Sequence, residues 1–266
     1  MPHPMRSLFP FAVLALALPA AGGEVGARIE SWHTALSGDV KAESHSIPAT
    51  RLSYSGLGMD TDEDIPSGEL FARFGKDDRH RLSLRFFQQA YSGQTTLTQT
   101  VTFKTFTFAA STVLSSRMQF QDLDARYEGD FWQGKAESGS AAPRSAVWGI
   151  AGLKTLSLDA ELSAPGVGTA SESVTAPLPV LGLGGRWTPT PHLSLEAQAA
   201  GLAIDVSDIR ASFYELQARA GWHFTKNVAL QAGWRSWHLK GTIDSSTVID
   251  FNATIQGPFL ALEGRF

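Results

Sequence analysis

Cysteine is absent from all 266 residues, which excludes disulfide staples, cysteine-ligated zinc and thiol nucleophiles together. Charge is sparse as well. Lys+Arg number 22 against 26 Asp+Glu, a formal net charge of −4, and charged types make up only 18% of the chain. With apolar types at 43%, neither a disordered segment nor a polybasic nucleic-acid binder fits, and no nucleic-acid partner is expected. Long apolar runs are missing too, apart from Leu8 to Leu18, and that run is shorter than the roughly 20 residues a membrane-spanning helix requires. It follows Arg6 and precedes Ala20, Ala21, Gly22 and Gly23. This is the pattern of a secretory signal peptide over residues 1–22, cleaved after Ala21 or Gly22, with residues 23–266 as the mature domain.

What the mature chain has in abundance is a period of two. From Tyr214 to Phe224 the even positions (Tyr214, Leu216, Ala218, Ala220, Trp222, Phe224) are apolar or aromatic, while Glu215, Gln217, Arg219, Gly221 and His223 lie between them. Successive strand residues face opposite sides, so this is a β-strand with one greasy and one polar face. Leu82, Leu84 and Phe86 alternate with Arg81, Ser83 and Arg85 in the same way. So do Leu123, Ala125 and Tyr127 with Asp122, Asp124, Arg126 and Glu128, and Val228, Leu230, Ala232 and Trp234 with Gln231, Gly233 and Arg235. Two regions fit less well. Trp148 and Ile150 share a parity with Lys154, which a bulge would reconcile, and the stretch Val25 to Leu36 alternates weakly.

Ten strands are expected, at about 25–37, 67–75, 80–92, 114–131, 145–162, 177–188, 192–206, 211–224, 228–242 and 250–266, with eight or twelve as neighbouring counts. Lys76-Asp77-Asp78-Arg79, Thr188 to His192 and Thr225-Lys226-Asn227 read as tight turns. Gly38 to Ser67, Gln94 to Val113 and Ala164 to Ala176 read as long loops on the opposite side. One long link, Gln133 to Arg144, falls on the short-turn side and breaks the rule.

A soluble β-sandwich would also alternate, so further features decide. Aromatics collect at the short-turn ends: Phe74, Phe131, Trp132, Trp187, Trp222, Phe224 and Phe266. That is where a membrane-interface girdle would stand. The polar face favours Arg over Lys, and lysine supplies only 7 of the 22 basic residues. Forked guanidinium groups suit a crowded interior paired with carboxylates. The last strand alternates through Leu260, Leu262 and Phe266. On these residues the chain resembles the Gram-negative outer-membrane β-barrels of the small OmpA-like and OmpW-like size class. The resemblance implies an all-β, up-and-down antiparallel transmembrane barrel in the cell outer membrane, surrounded by lipid and lipopolysaccharide. It further implies that Leu260, Leu262 and Phe266 form a signal read by the barrel-assembly machinery, with Gly264 standing where a larger apolar residue is usual.

Candidate sites are few. Asp60, Asp62, Glu63 and Asp64 crowd one loop but lack the spacing of a calcium-binding loop. His33, His45, His80, His192, His223 and His238 are scattered without ligand spacing, and no metal or cofactor is expected. Glu43-Ser44-His45-Ser46 places acid, base and nucleophile side by side, where triad geometry is rarely reached. The motifs of lipid A deacylases, the enzymatic alternative, are not found, so no catalytic role is expected. The best-populated set is the inward charge: Glu69, Arg73, Arg85, Asp124, Arg126, Glu128, Lys154, Arg186, Glu196, Glu215, Arg219, Arg235, Glu263 and Arg265. These residues either line a selective passage or pair to fill the interior. Small barrels are mostly filled by their own side chains, so a structural or narrow, low-conductance barrel is expected.

Overall fold

A computed structural model describes residues 23–44, 49–135, 139–206, 209–244 and 247–266. Ten long strands form one antiparallel sheet that closes on itself: β1 (Glu24–Ser44), β2 (Asp62–Phe74), β3 (His80–Thr96), β4 (Val113–Gln133), β5 (Ala146–Ala164), β6 (Gly168–Thr190), β7 (Leu193–Val206), β8 (Ile209–His223), β9 (Val228–Asp244) and β10 (Thr247–Arg265). Each strand pairs with its sequence neighbour, and β1 pairs with β10 along Gly26↔Arg265 to Ser44↔Thr247 to seal the barrel. The seam is finished by Phe266, which donates its N–H to Val25 O at 2.7 Å and accepts from Val25 N at 3.1 Å. The expected signal peptide, like His45 and Ser46, lies outside the described residues.

The strands run from 13 to 23 residues, longer than the roughly 9–11 needed to cross a bilayer. Their outward faces show why. Near the end where β1 begins and β10 finishes, the outward residues are greasy and exposed, as with Ile29, Leu82, Leu84, Leu183, Leu216, Trp234, Leu260 and Leu262. Further along the same strands the outward positions turn polar: His33 on β1, Gln88 on β3, Gln121 and Gln119 on β4, Ser171 and Ser173 on β6, and Ser212 on β8. On β8 the greasy run spans Phe224 to Tyr214. At roughly 3.3 Å per residue and a tilt of about 40°, that makes a belt about 25 Å tall, the height of a barrel's lipid-facing band. The barrel therefore spans a membrane with one half and projects from it with the other.

The interior inverts in step. Behind the greasy belt most inward residues are charged, with the apolar Phe71, Trp148 and Ile150 set among them. Behind the polar outer surface they are apolar, among them Leu36, Ile65, Phe120, Leu158, Leu239 and Ile255. Two links between strands fold over the far mouth and add to this core. Residues 49–61 contribute Leu52, Tyr54, Leu57 and Met59, and residues 97–112 contribute Leu97, Val101, Phe103 and Phe108, with a small ribbon pairing Val101–Phe103 to Phe106–Phe108. Ser116 Oγ donates to Leu57 O at 2.8 Å and anchors the first link to β4. Burial, and secondarily the carboxylate of Asp39, push the Tyr54 phenol up from its usual value, so it stays a neutral donor.

Several expectations need correction. The link Ala164 to Ala176 is not a loop: β5 and β6 pair down to Ala164↔Gly168, and the turn is only 165–167, with Gly166 at φ 77°. Its outward residues Thr169, Ser171, Ser173 and Thr175 lack a greasy face because this part of β6 lies above the belt. Likewise β1 runs on to Ser44, and β2 starts at Asp62 rather than near Ser67, so Asp62, Glu63 and Asp64 sit on a strand and not in a loop. No bulge reconciles Trp148 with Lys154. The β5–β6 register is unbroken from Ala146↔Arg186 to Ala164↔Gly168, and Trp148, Ile150 and Lys154 all point inward. The irregularity lies on β4 instead, between Asp130 and Trp132, where it turns both Phe131 and Trp132 outward.

Candidate functional site

Sheet register lines up the inward charges. Around six neighbouring strands, Glu263, Arg28, Glu69, Arg85, Asp124 and Lys154 are direct cross-strand partners, alternating in sign at every step. Directly opposed residues of opposite charge attract, whereas like charges there repel. Arg186, Glu196 and Arg219 form a second row on β6, β7 and β8.

The rows are joined into a network. Arg28 and Arg81 both bond Glu69, and Arg81 also reaches Glu128 at 3.1 Å. Glu196 takes Arg186 at 2.6 Å and also bonds Arg219. Other pairs cross the interior rather than follow its wall. Glu215 on β8 meets Arg126 of β4 at 2.6 Å and Arg85 of β3 at 2.9 Å. Arg235 on β9 forks onto Glu30 of β1 at 2.5 and 3.0 Å. Lys154, with no solvent exposure, holds both carboxylate oxygens of Asp122 at 2.9 Å and lies 3.0 Å from Asp124. Charge-assisted and bidentate contacts of this kind are the strong hydrogen bonds of proteins.

A layer of rings closes over this network. Phe87 and Phe213 each lie 5.1 Å from Trp237, and Trp32 sits 6.2 Å from Phe87. Lys154 Nζ is 4.3 Å from the Trp237 ring and Arg235 is 5.1 Å from Trp32, so cations meet aromatic faces where the two halves join. A cavity of about 10 Å³, room for about one water molecule, lies among Arg28, Glu69, Arg85, Asp124, Arg126 and Arg219.

All fourteen charges named from the sequence lie on the inner wall. Most are buried, and the Arg73 side chain is 13% exposed. The structure adds four that sequence reasoning left out: Arg28, Glu30, Arg81 and Asp122. Arg81 and Asp122 lie on the polar parity of strands already recognised, so the alternation itself was the available signal. Arg28 and Glu30 were hidden by the weak pattern of β1. Together these eighteen are ten basic and eight acidic residues, and among the described residues no group of three or more His, Asp or Glu is arranged to hold a metal. The exposed Trp187, Trp222, Phe224 and Phe266 stand outward near the other end of the greasy belt, on the side of the tight turns.

No known family profile and no curated protein sequence matches the chain. Solved structures do. The outer membrane protease OmpT from Escherichia coli superposes with a TM-score of 0.52 at 11% identity, covering 91% of this chain and 97% of that one. The fold is that of a Gram-negative outer-membrane β-barrel. Weaker likenesses are to the transport unit of the autotransporter AIDA-I from Escherichia coli (TM-score 0.42, 10% identity, 96% of this chain and 94% of that one) and to Ail, the attachment invasion locus protein of Yersinia pestis (TM-score 0.37, 13% identity, 92% and 99%). At 11% identity the likeness to OmpT is one of architecture, and it carries no chemistry across to this chain.

Proposed function

We propose that this protein is an integral outer-membrane barrel whose membrane half is closed by its own ion pairs, and that it serves as a structural anchor for the folded half projecting outward rather than as an open pore. The observation that carries the reading is the transverse contact of Glu215 with Arg85 and Arg126, beside a cavity of only about 10 Å³. A permanently open pore selecting one sign of ion would need a free cross-section lined by an excess of one charge. Ten basic against eight acidic residues, nearly all engaged with one another, leave little of either.

In this reading the tight turns, the start of β1 and the end of β10 face the periplasm, and the half capped by residues 49–61 and 97–112 faces the outside. Lipid and lipopolysaccharide surround the belt, and the barrel-assembly machinery reads Leu260, Leu262 and Phe266. No catalytic role is assigned. Planar-bilayer recording of purified protein tests the proposal: rare or very small openings are expected, and large, steady, porin-like steps would overturn it.

A further inference from the structure

The long link on the tight-turn side, the exception to the loop pattern, has a structural consequence. Its residues 139–144 fold back across the barrel end: Ala141 and Ala142 donate to Pro191 O at 2.9 and 2.7 Å, Thr188 Oγ1 donates to Pro143 O at 2.6 Å, and Arg144 lies 3.3 Å from Asp77. Together with the strand ends it encloses a pocket of about 320 Å³, within the range of small-molecule sites.

The chemistry of that pocket is cationic at its floor. Arg73 of β2, Arg186 of β6 and Arg265 of β10 converge there, and Lys135 and Lys226 stand on its rim. Arg186 and Arg265 are satisfied by Glu196 and Glu263 at 2.6 Å. Arg73 is not. Its side chain is 13% exposed and makes no hydrogen bond among the described residues; its nearest carboxylate is Glu24, at 3.9 Å. The same Glu24 oxygen sits 3.8 Å from Arg265 and is itself buried without a hydrogen-bond partner. Asp130, another wall residue, is held by Gln133 Nε2 at 2.8 Å, and Asp77 is engaged by Arg144. A largely enclosed guanidinium whose donors meet no protein acceptor is free to donate to an incoming one.

We propose that this pocket binds a small oxyanion, a phosphate or a carboxylate group, with Arg73 as the main donor and Arg265, Lys135 and Lys226 supplying further positive charge. A planar fork matches either group with two parallel hydrogen bonds. The proposal rests on the pocket alone and holds whether or not the barrel conducts.

Calorimetric titration of detergent-purified protein at low salt tests it, with inorganic pyrophosphate in one arm and citrate in the other. Saturable binding is expected in at least one arm, weakened about tenfold or more in Arg73→Gln, the loss expected for one charge-assisted bidentate contact. Binding of pyrophosphate alone would assign a phosphoryl ligand; binding of both would admit carboxylates. Arg73→Lys, which keeps the charge but loses the fork, should fall between. Retained heat-modifiable migration of each variant shows that the barrel has folded. No saturable binding in either arm, or equal affinity in wild type and a folded Arg73→Gln, would overturn the proposal.

Discussion

Replacing Lys154 with Met offers the sharpest test of how the membrane half is held together. Lys154 is fully enclosed and provides the only hydrogen bonds to the carboxylate of Asp122 among the described residues, both at 2.9 Å. Met fills nearly the same volume beside Phe213 and Trp237 but carries no charge, so Asp122 would be left buried and unpaired. Asp124 would lose one contact yet keep Arg126 at 2.6 Å and Arg85 at 3.1 Å. Removing one partner of a buried pair costs about 3–5 kcal/mol, and a lost cation–π contact adds up to about 2 kcal/mol. A total near 4 kcal/mol is expected for Lys154→Met. Removing both partners should be far milder, because apolar replacement of a buried pair is often neutral. The double variant Lys154→Met/Asp122→Leu should therefore recover at least half of the loss. Urea unfolding in detergent, followed by tryptophan fluorescence and by heat-modifiable migration, reads both numbers. A single-variant loss below about 1 kcal/mol, or a double variant no better than the single, would refute the reasoning that the pair is maintained by mutual compensation rather than by packing.

Three other outcomes follow from the same geometry. Ala232→Arg, on the greasy part of β9, should cost about 2–4 kcal/mol in vesicles, whereas Ser173→Arg, exposed on the projecting part of β6, should be nearly neutral; equal costs would misplace the membrane boundary. Glu215→Ala, which removes the acid that takes both Arg85 and Arg126 across the interior, should raise bilayer conductance above wild type if the protein still folds, and an unchanged current in folded protein would count against closure by these pairs. Phe266→Ala keeps the backbone hydrogen bonds to Val25 but loses the exposed ring; membrane yield should fall, and unchanged yield would remove the residue from the assembly signal.

The belt half of the fold was readable in the sequence because lipid imposes a strict alternation. On β8, Leu216, Ala218 and Ala220 had to be apolar while Glu215, Gln217 and Arg219 had to be enclosed. The projecting half was not readable in the same way. There the outward residues of β6, Thr169 to Thr175, are polar and so are some inward ones, such as Glu172, which gave Ala164 to Ala176 the look of a loop. The same cause weakened the pattern of β1, whose outward face passes from Ile29 to Ser31 and His33 within two steps. Partner choice was legible only in kind. Arginine and carboxylate were expected to pair, but that Glu215 would reach over to β3 and β4 depends on barrel curvature and on register, which no local pattern encodes.

The inversion of the interior has a physical origin that also explains why the charges are arranged in rows. In water, apolar groups are driven inside by the hydrophobic effect, and the projecting half obeys this, with Ile65, Leu158 and Ile255 enclosed. In lipid that drive vanishes, because acyl chains are as apolar as leucine and burying one more gains nothing. What still distinguishes the two faces of a strand there is the cost of placing charge in hydrocarbon. A one-residue slip of β3 against β2 would carry every side chain to the opposite face. It would put Arg85 into lipid and Leu84 against Glu69, breaking the row from Glu263 to Lys154 at its middle. The ion pairs thus fix register where greasiness cannot. Any weakening of these pairs would therefore also weaken the specification of the sheet.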